Sequence, residues 1–235
     1  MAKIVEIALQ NCVDSIDVYK DRDDTAIRNL MEGLVLTGIA MSFVGNSRPA
    51  SGSEHHLSHF WEMMFLMQGK PAVLHGTKVG ITTLASGKIG ELLASEKIAF
   101  EEIEKRAKTF DEEQWEADIL RIYGKAAPGV LKLSLQGNRN SMEEKKKRFN
   151  SIRAHWETIV SILTEGPSVS EIEDLLKRAG APMNPKEIGV DERIVFDSIL
   201  YAKEIRPRYT VLQLLWDIDL LGDFAQFIRD YYFEE

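Results

Sequence analysis

Apolar positions recur at helical spacing from the first residues of the chain. Ile4, Ala8 and Cys12 follow one another at intervals of four, which predicts an opening helix. A second helix is predicted over 25–44, amphipathic at first and apolar on every side from Leu34 onward. Because a helix that is apolar all round has no face suited to water, we expect the second half of this helix to be enclosed by others.

Helical patterns continue to the C-terminus, separated by Gly, Pro and N-cap residues. The further predicted helices are 53–67, 72–95, 100–108, 111–123, 128–136, 141–163, 168–178, 191–205 and 210–233. Asp111 and Ser168 are the predicted N-caps of two of them. No run alternates β-branched and polar residues. The sequence therefore predicts an all-α protein of about ten helices, with 1–235 as a single domain.

Small residues mark one face of the fourth predicted helix. Gly76, Gly80, Thr83, Gly87 and Gly90 lie at intervals that bring them to neighbouring positions on the helix surface. A helix face without large side chains lets another helix or a ligand approach the backbone closely. We therefore expect close packing against this face.

Composition narrows the class of protein further. The 235 residues are 44% hydrophobic with a net charge of −8, which indicates a globular chain with no nucleic-acid partner. The single cysteine, Cys12, has no intramolecular partner, and no leader sequence is evident, so we expect a cytoplasmic protein. The most apolar stretch, 33–45, is shorter than the roughly 20 residues that span a bilayer, so no membrane partner is expected.

Histidines cluster in one short part of the chain. Of five histidines, His55, His56, His59 and His75 fall within 21 residues. His55 and His59 share one helical face with Glu62, and the Gly-Lys-Pro break after it allows His75 to return to the same place. Imidazole is a preferred ligand of catalytic divalent cations, so a metal site is predicted. The alternative is a set of ordinary capping and core histidines.

The loop before these histidines has the features of an anion site. Ser51-Gly52-Ser53-Glu54 has the S-x-x-E form of a capping box and predicts a helix N-terminus, which attracts anions. Arg48 lies just upstream and adds a cation. The alternative is an ordinary capped loop whose arginine is solvated or paired with a carboxylate. The sequence contains no G-x-G-x-x-G motif after a strand, no Walker A loop, no H-E-x-x-H and no G-x-S-x-G.

Two segments resemble a known family of enzymes. Arg-Pro-Ala-Ser-Gly-Ser-Glu-His-His-Leu-Ser-His-Phe-Trp-Glu (48–62) and Leu-His-Gly-Thr-Lys-Val-Gly (74–80) resemble the metal-binding domain of sn-glycerol-1-phosphate dehydrogenases. That family is grouped with glycerol dehydrogenases, iron-containing alcohol dehydrogenases and dehydroquinate synthases. Its members have an N-terminal dinucleotide-binding α/β domain and a C-terminal helical domain. This chain resembles only the helical domain, and the N-terminal domain has no counterpart in it.

The resemblance implies a role for each histidine and for the loop. His55 and His75 would bind the catalytic metal, Zn²⁺ or Ni²⁺, together with an aspartate that has no counterpart in this chain. His59 would act on the substrate side, in proton transfer. The phosphate of dihydroxyacetone phosphate would be bound by Arg48, Ser51 and Ser53. The implied activity is an NAD(P)-dependent oxidoreductase of phospholipid metabolism that interconverts dihydroxyacetone phosphate and glycerol 1-phosphate.

Two other interpretations remain open from the sequence. The run 54–62 is also similar to the dehydroquinate synthase pattern G-H-x-x-G-H-x-x-E, although the glycines are missing here. The second is a helical remnant without catalytic activity that binds a metal, a phosphorylated ligand or a partner subunit. An apolar face left exposed in such a remnant predicts a homo-oligomer or poor solubility.

Overall fold

The chain is built from α-helices and short 3₁₀ turns. The computed structural model describes residues 2–106, 110–136 and 138–234, and within these ranges it contains no strand. The helices are α1 (Ala2–Asp14), α2 (Asp24–Val44), α3 (Ser53–Met67), α4 (His75–Ser95), α5 (Phe100–Arg106), α6 (Glu112–Tyr123), α7 (Ala127–Gln136), α8 (Met142–Ala154), α9 (Trp156–Leu163), α10 (Val169–Ala179), α11 (Glu192–Tyr201), α12 (Val211–Asp217) and α13 (Leu221–Phe233). The predicted all-α class is confirmed.

Three of the longer predicted helices are interrupted in the structure. The segment predicted over 141–163 is broken at His155, which ends α8 and precedes α9. The segment over 210–233 is broken where Asp219 takes a positive φ of 56° between α12 and α13. After α11 the chain tightens into a 3₁₀ turn, Ala202–Glu204. None of these three places contains Gly or Pro, so the helical periodicity of the sequence did not indicate the breaks.

Two predicted boundaries also differ from the structure or lie beyond it. The fourth predicted helix was expected from residue 72, but α4 begins at His75, after an irregular segment that includes Pro71. The fifth was predicted over 100–108, of which residues 107 and 108 lie outside the described part of the chain. The later start of α4 places His75 in its first turn, where the side chain faces the N-terminal end of α3.

The two predicted N-caps are confirmed. The Asp111 carboxylate accepts a 2.9 Å hydrogen bond from the backbone N–H of Gln114 at the start of α6. Ser168 and Glu171 form a full capping box at the start of α10. Each cap satisfies a backbone donor that the helix itself leaves unpaired and contributes about 1 kcal/mol.

The hydrophobic core lies between α3, α4 and the C-terminal helices. Leu57, Phe60 and Trp61 of α3 are fully buried, as are Ile81 and Ile89 of α4. Helices α11, α12 and α13 cover this pair, and their apolar residues belong to the same core cluster. The helix pair that carries the histidines therefore belongs to the hydrophobic core.

The small-residue face of α4 is packed against neighbouring helices at two of the predicted positions. A Cβ atom added at Gly80 would lie 3.4 Å from Leu176 of α10, and one added at Gly87 would lie 2.8 Å from Cγ2 of Val169. At Gly76 no atom lies within 4 Å of such a Cβ. The close approach expected from the sequence is thus confirmed at Gly80 and Gly87, and the approaching element is α10.

Replacing Gly87 by alanine is expected to destabilise the protein by about 1–3 kcal/mol, because the added methyl overlaps the buried Val169 side chain. The better helix propensity of alanine offsets at most about 1 kcal/mol of this. Urea unfolding followed by circular dichroism measures the change. Gly129→Ala is the matched control, since Gly129 is exposed in α7 with no atom within 4 Å of the new Cβ. Equal stability of the two variants would contradict the packing described here.

The expectation that the apolar half of α2 is enclosed is wrong. Ala26, Gly33 and Ala40 are the buried residues of α2, whereas Leu34 is 60% and Phe43 is 71% exposed. The three buried residues are small and seven apart, so they form a narrow stripe against α1. In the described part of the chain α2 packs mainly on α1 and on the 3₁₀ turn at 48–50, which leaves its remaining surface uncovered.

Helix α2 also passes the length and composition test for a membrane span. Its best 18-residue window has a mean hydropathy of 1.3, and 11% of that window is buried. The stretch 33–45, which is too short to span a bilayer, is only the more apolar half of this 21-residue helix. One such helix is weak evidence for a membrane, because core helices and signal sequences pass the same test.

Candidate functional site

Three histidine rings meet between the start of α3 and the start of α4. The ring centroids of His55 and His75 are 5.2 Å apart, those of His59 and His75 are 5.4 Å apart, and those of His55 and His59 are 6.3 Å apart. The Thr82 hydroxyl on α4 donates a 2.8 Å hydrogen bond to the backbone carbonyl of Glu54, which fixes the two helix ends relative to each other. The predicted return of His75 to the other histidines is what the structure shows.

The fourth histidine of the cluster faces inward instead. His56 is fully buried, and neither ring nitrogen has a hydrogen-bond partner among the described residues. Burial, followed by the charges of Arg206 and Arg208, lowers the pKa of His56 to about 4, so the ring is neutral near pH 7. His56 therefore lies on the core side of α3, close enough to Arg206 and Arg208 for their charges to affect its pKa.

The start of α3 differs from the predicted capping box. The N-cap is Gly52, and no side chain caps the helix. Glu54 accepts a 2.7 Å hydrogen bond from the backbone N–H of Gly52, and its carboxylate also lies 2.7 Å from Nδ1 of His55. Ser51 takes an extended conformation, and its hydroxyl has no partner in the described ranges. The prediction of Ser51 as the cap was wrong because α3 begins at Ser53, so Gly52 occupies the N-cap and Ser51 lies one residue before it.

The contact with Glu54 orients the ring of His55. A carboxylate accepts hydrogen bonds, so Nδ1 carries the proton and the lone pair is on Nε2. A histidine that binds a metal commonly donates its other N–H to a carboxylate in this way. The local geometry of His55 is therefore suited to a metal ligand.

His59 lies between a cation and a carboxylate. Its Nε2 is 3.2 Å from Nη2 of Arg206, and its Nδ1 is 3.5 Å from Glu62. Burial, followed by the charge of Arg206, lowers the pKa of His59, so the neutral ring accepts from Arg206 at Nε2. The buried Lys78 ammonium lies 3.5 Å from the same Glu62 oxygen. His59 thus has a different environment from His55, with its lone pair directed toward a guanidinium.

Sequence analysis missed Arg206 and Arg208. Both lie in the loop 205–210, which follows the 3₁₀ turn after α11 and leads into α12. Besides the contact of Arg206 with His59, Arg208 donates to the Ser47 hydroxyl at 2.8 Å and to the carbonyl of Ser51 at 3.4 Å. The two arginines are about 150 positions from the histidines, and no local pattern links them. The one available signal was the Arg-Pro-Arg run itself, two cations around a helix breaker.

The predicted phosphate residues occupy different positions in this loop region. Arg48 is exposed, and in the described structure no contact joins its guanidinium to the histidines. The Ser53 side chain is buried and accepts a 3.3 Å hydrogen bond from the backbone N–H of Val211, which ties α3 to α12. Ser51 lies between them, beside Arg208. Ser51 and Ser53 therefore contact the elements around the histidines, Arg208 and α12, whereas no contact in the described structure joins the Arg48 side chain to them.

A buried polar cluster supports the loop that carries the two arginines. Glu204 is 1% exposed, pairs with Lys203, and accepts a 2.6 Å hydrogen bond from the Ser134 hydroxyl. Arg139 donates 2.9 Å hydrogen bonds to the carbonyls of both Lys203 and Arg206. These bonds fix the backbone immediately before the loop.

Glu204 makes the stability of this region dependent on acid. Burial alone would raise its pKa, but Lys203, Ser134 and Arg139 together lower it from 4.5 to about 2. Because the folded pKa is depressed, its contribution to stability is complete above pH 4.5 and is lost as the pH falls toward 2. Wild-type protein should therefore lose roughly 2–4 kcal/mol more than Glu204→Gln over this interval in urea unfolding. Parallel pH profiles for the two proteins would contradict this.

The donor set at the three rings fits a divalent cation in part. Imidazoles around one zinc, with Zn–N bonds of about 2.0–2.1 Å, place their centroids about 5 Å apart, close to the spacing seen here. In the described ranges, however, no group of three or more His, Cys, Asp or Glu side chains is arranged to hold a metal ion by itself. His55 and His75 can supply two ligands, while Nε2 of His59 is directed at Arg206. At least one further ligand has to come from outside these residues.

The helical fold and the histidine cluster together describe an all-α chain with three imidazoles between the starts of α3 and α4. No protein-family model matches the chain, but comparison with curated proteins finds relatives. The chain is 33% identical over 218 residues to the glycerol-1-phosphate dehydrogenase (NAD(P)+) of Geobacillus stearothermophilus, a match that covers 91% of this chain and 44% of the relative. The enzyme of the same name from Geobacillus thermodenitrificans is 31% identical over 209 residues, covering 88% and 43%.

An archaeal relative extends the similarity. The glycerol-1-phosphate dehydrogenase (NAD(P)+) of Methanosarcina acetivorans is 26% identical over 212 residues, covering 90% of this chain and 37% of the relative. The chain is therefore similar, over about 90% of its own length, to proteins named glycerol-1-phosphate dehydrogenase. The chain spans less than half the length of the curated relatives that it matches.

Proposed function

We propose that this chain is the metal- and substrate-binding domain of an NAD(P)-dependent glycerol-1-phosphate dehydrogenase, with 1–235 as one helical domain. The observation that supports this most is the triangle of His55, His59 and His75, with centroids 5.2–6.3 Å apart, beside Arg206. It combines metal-ligand chemistry with a cation for an anionic substrate. The names of the relatives supply the substrate, glycerol 1-phosphate, and the nicotinamide cofactor.

His55 and His75 are the proposed metal ligands in this chain. A bound Zn²⁺ or Ni²⁺ would supply Lewis-acid polarisation of the substrate oxygen. Glu54 holds His55 in the tautomer whose Nε2 is free to coordinate, and His75 presents its ring from the first turn of α4. The resemblance implies a third ligand, an aspartate, besides these two histidines. Strong metal binding is therefore proposed only for a site in which a third ligand joins His55 and His75.

His59 is the proposed proton-transfer residue. Because burial and Arg206 lower its pKa, the ring is neutral near pH 7, and its Nε2 lone pair, which accepts from Arg206 in this structure, is the proposed acceptor of the alcohol proton when Arg206 turns to the substrate. In the reverse direction it returns that proton to the C2 oxygen of dihydroxyacetone phosphate. Glu62, 3.5 Å from Nδ1, stabilises the protonated ring that exists between these steps. His59 thereby connects the reacting oxygen to the Glu62–Lys78 pair.

The phosphate end of the substrate is assigned to the loop before α3. Arg48, Ser51 and Ser53 are the residues implied by the family resemblance, and Ser51 and Ser53 lie at the α3 N-terminus, where backbone N–H groups favour anions. A fixed phosphate holds the carbonyl carbon in one orientation, which determines the stereochemistry of the product.

A soluble phosphorylated substrate and the single cysteine fit a cytoplasmic location.

The activity can be tested by supplying the part that this chain does not match. The purified chain is mixed with the unmatched part of the Geobacillus stearothermophilus relative, NADH or NADPH, and Zn²⁺ or Ni²⁺. Oxidation of the nicotinamide should require dihydroxyacetone phosphate, and unphosphorylated dihydroxyacetone should be a poor substrate. His59→Gln should lower turnover by about 100-fold or more, since acid–base catalysis contributes 10²–10⁴-fold. The absence of turnover in the reconstituted mixture, with both proteins folded and associated, would contradict the proposal.

A second candidate is a non-catalytic module that acts through a partner subunit. The specific observation in its favour is the exposed apolar surface of α2, including Leu34 and Phe43. A surface of this kind commonly marks a protein interface. Sedimentation velocity should then show association that weakens in a Leu34→Glu variant. A monomer at all concentrations would argue against a homo-oligomeric form of this candidate.

A further inference from the structure

Arg206 and Arg208 lack the counter-ions that neighbouring arginines have. Among the described residues, neither guanidinium forms an ion pair with a carboxylate. Arg148, close by in the fold, pairs with the buried Asp217 through two hydrogen bonds of 2.8 and 2.9 Å. A half-buried arginine without a carboxylate retains unused N–H donors and an uncompensated charge. Two such arginines in one short loop define an electropositive site.

Buried polar groups without partners line the same place. The hydroxyl oxygens of Ser51 and Thr210 and both ring nitrogens of His56 have no hydrogen-bond partner in the described part of the chain. His56 is 0% exposed, and the charges of Arg206 and Arg208 both act on it. Buried polar groups in native proteins are nearly always hydrogen-bonded. Their concentration here indicates a ligand or solvent that accepts and donates hydrogen bonds beside the two arginines.

The loop that carries the arginines is held from both ends. Arg139 binds the carbonyls of Lys203 and Arg206 on one side, and the Tyr209 hydroxyl donates a 3.0 Å hydrogen bond to Asp217 on the other. Both supports lead into buried ion pairs. The guanidinium groups are therefore presented by a fixed backbone, which lowers the entropy cost of binding a ligand.

We propose that Arg206 and Arg208 are the principal phosphate-binding residues of the site and that they select a phosphorylated substrate over the free polyol. A phosphate has the charge and the oxygen geometry that two guanidinium forks recognise. Arg206 touches His59, so a phosphate bound here lies next to the proton-transfer residue. Arg208 donates a hydrogen bond to the carbonyl of Ser51, a residue that the family resemblance implies in phosphate binding. The identity of the substrate rests on the proposed function, whereas the anion site itself does not.

The test is a binding measurement on the whole chain that needs no turnover. Isothermal titration calorimetry is run with inorganic phosphate, glycerol 1-phosphate and glycerol as separate probes. Arg206→Gln and Arg208→Gln should each weaken binding of both phosphate compounds by about 10- to 100-fold, the value of a charged hydrogen-bonded contact. Glycerol should bind weakly and equally to all proteins. Arg48→Gln should have a smaller effect than either.

Matched variants separate binding from folding. Arg193→Gln removes an exposed arginine on α11 that pairs only loosely with Asp197, at 3.8 Å, and it should bind both phosphate compounds like wild type. Arg208 also holds Ser47 and Ser51, so Arg208→Lys and Arg206→Lys keep the charge while removing the fork geometry. The lysine variants should recover part of the affinity. Thermal unfolding midpoints of all variants show that each one is folded under the titration conditions.

The outcomes distinguish this inference from the proposed function. Unchanged phosphate affinity in folded Arg206→Gln and Arg208→Gln would overturn the inference while leaving the dehydrogenase proposal intact. A wild-type chain that binds neither phosphate compound at millimolar concentration would also overturn it. Loss of phosphate binding in both variants supports it, even when the reconstituted mixture fails to reduce dihydroxyacetone phosphate, a result that would count against the proposed function alone.

Discussion

Replacing His75 by alanine should abolish metal binding at the proposed site and reduce turnover of the reconstituted dehydrogenase by more than about 100-fold. His75 is the one histidine of the triangle that comes from α4, and its ring is 5.2 Å from His55 and 5.4 Å from His59. Without it, the remaining proposed ligand of this chain is His55. A single imidazole does not hold Zn²⁺ or Ni²⁺ against dialysis. Elemental analysis of bound metal, beside the nicotinamide assay, measures both effects.

Comparison variants make this expectation specific. His55→Ala should behave like His75→Ala, because both are proposed ligands. His155→Ala should keep both metal and turnover, since His155 lies at the exposed junction of α8 and α9 and bonds only to the carbonyl of Ser151. Normal metal content and normal turnover in His75→Ala would refute the assignment of the metal to this triangle.

Replacing Asp217 by asparagine should destabilise the protein by about 3 kcal/mol or more. The Asp217 side chain is fully buried and accepts hydrogen bonds from Arg148, Tyr209 and Gln213. Asparagine keeps the shape but removes the charge, so Arg148 is left as a largely buried cation without compensation. Breaking a buried ion pair from one side typically costs 3–5 kcal/mol, and the partial exposure of Arg148 places the effect near the lower end.

Urea unfolding at neutral pH measures this change as a lower midpoint with an unchanged slope. Asp21→Asn, in the exposed turn before α2, is the control and should be within about 0.5 kcal/mol of wild type. Exchanging both Arg148 and Asp217 for apolar residues of similar size should recover part of the loss, because no unpaired charge then remains. A stable Asp217→Asn variant would show that the pair is not a support of the loop 205–210.

The histidine site was predictable because its residues are close in the sequence. His55 and His59 share a helical face by spacing alone, and a single chain reversal at Gly69 to Pro71 returns His75 to them. The caps at Asp111 and Ser168 were predictable for the same reason, since a cap involves residues two or three positions apart. The capping box at Ser51 failed because α3 begins one residue later than the S-x-x-E pattern requires, which puts Gly52 at the N-cap, and the pattern alone does not fix the first helical residue.

Long-range contacts account for what the sequence did not show. Arg206 reaches His59 across 147 positions, Arg139 reaches the carbonyl of Arg206 across 67, and Arg148 pairs with Asp217 across 69. The environment of α2 was misjudged for a related reason. An apolar helix surface indicates that burial against another surface would be favourable. Whether another helix of this chain covers that surface depends on how the other helices pack.

The helical class, most helix positions, the histidine cluster and the family resemblance were all predictable from the sequence, because each depends on local periodicity or on a contiguous motif. Four features became visible in the folded molecule alone: His56 turns inward, His59 is directed at Arg206, two arginines without carboxylate partners among the described residues join the site, and α2 stays largely uncovered. The physical reason is that orientation, burial and charge pairing are properties of the packed helices together. They are set by residues far apart in the chain, whose proximity no local pattern encodes.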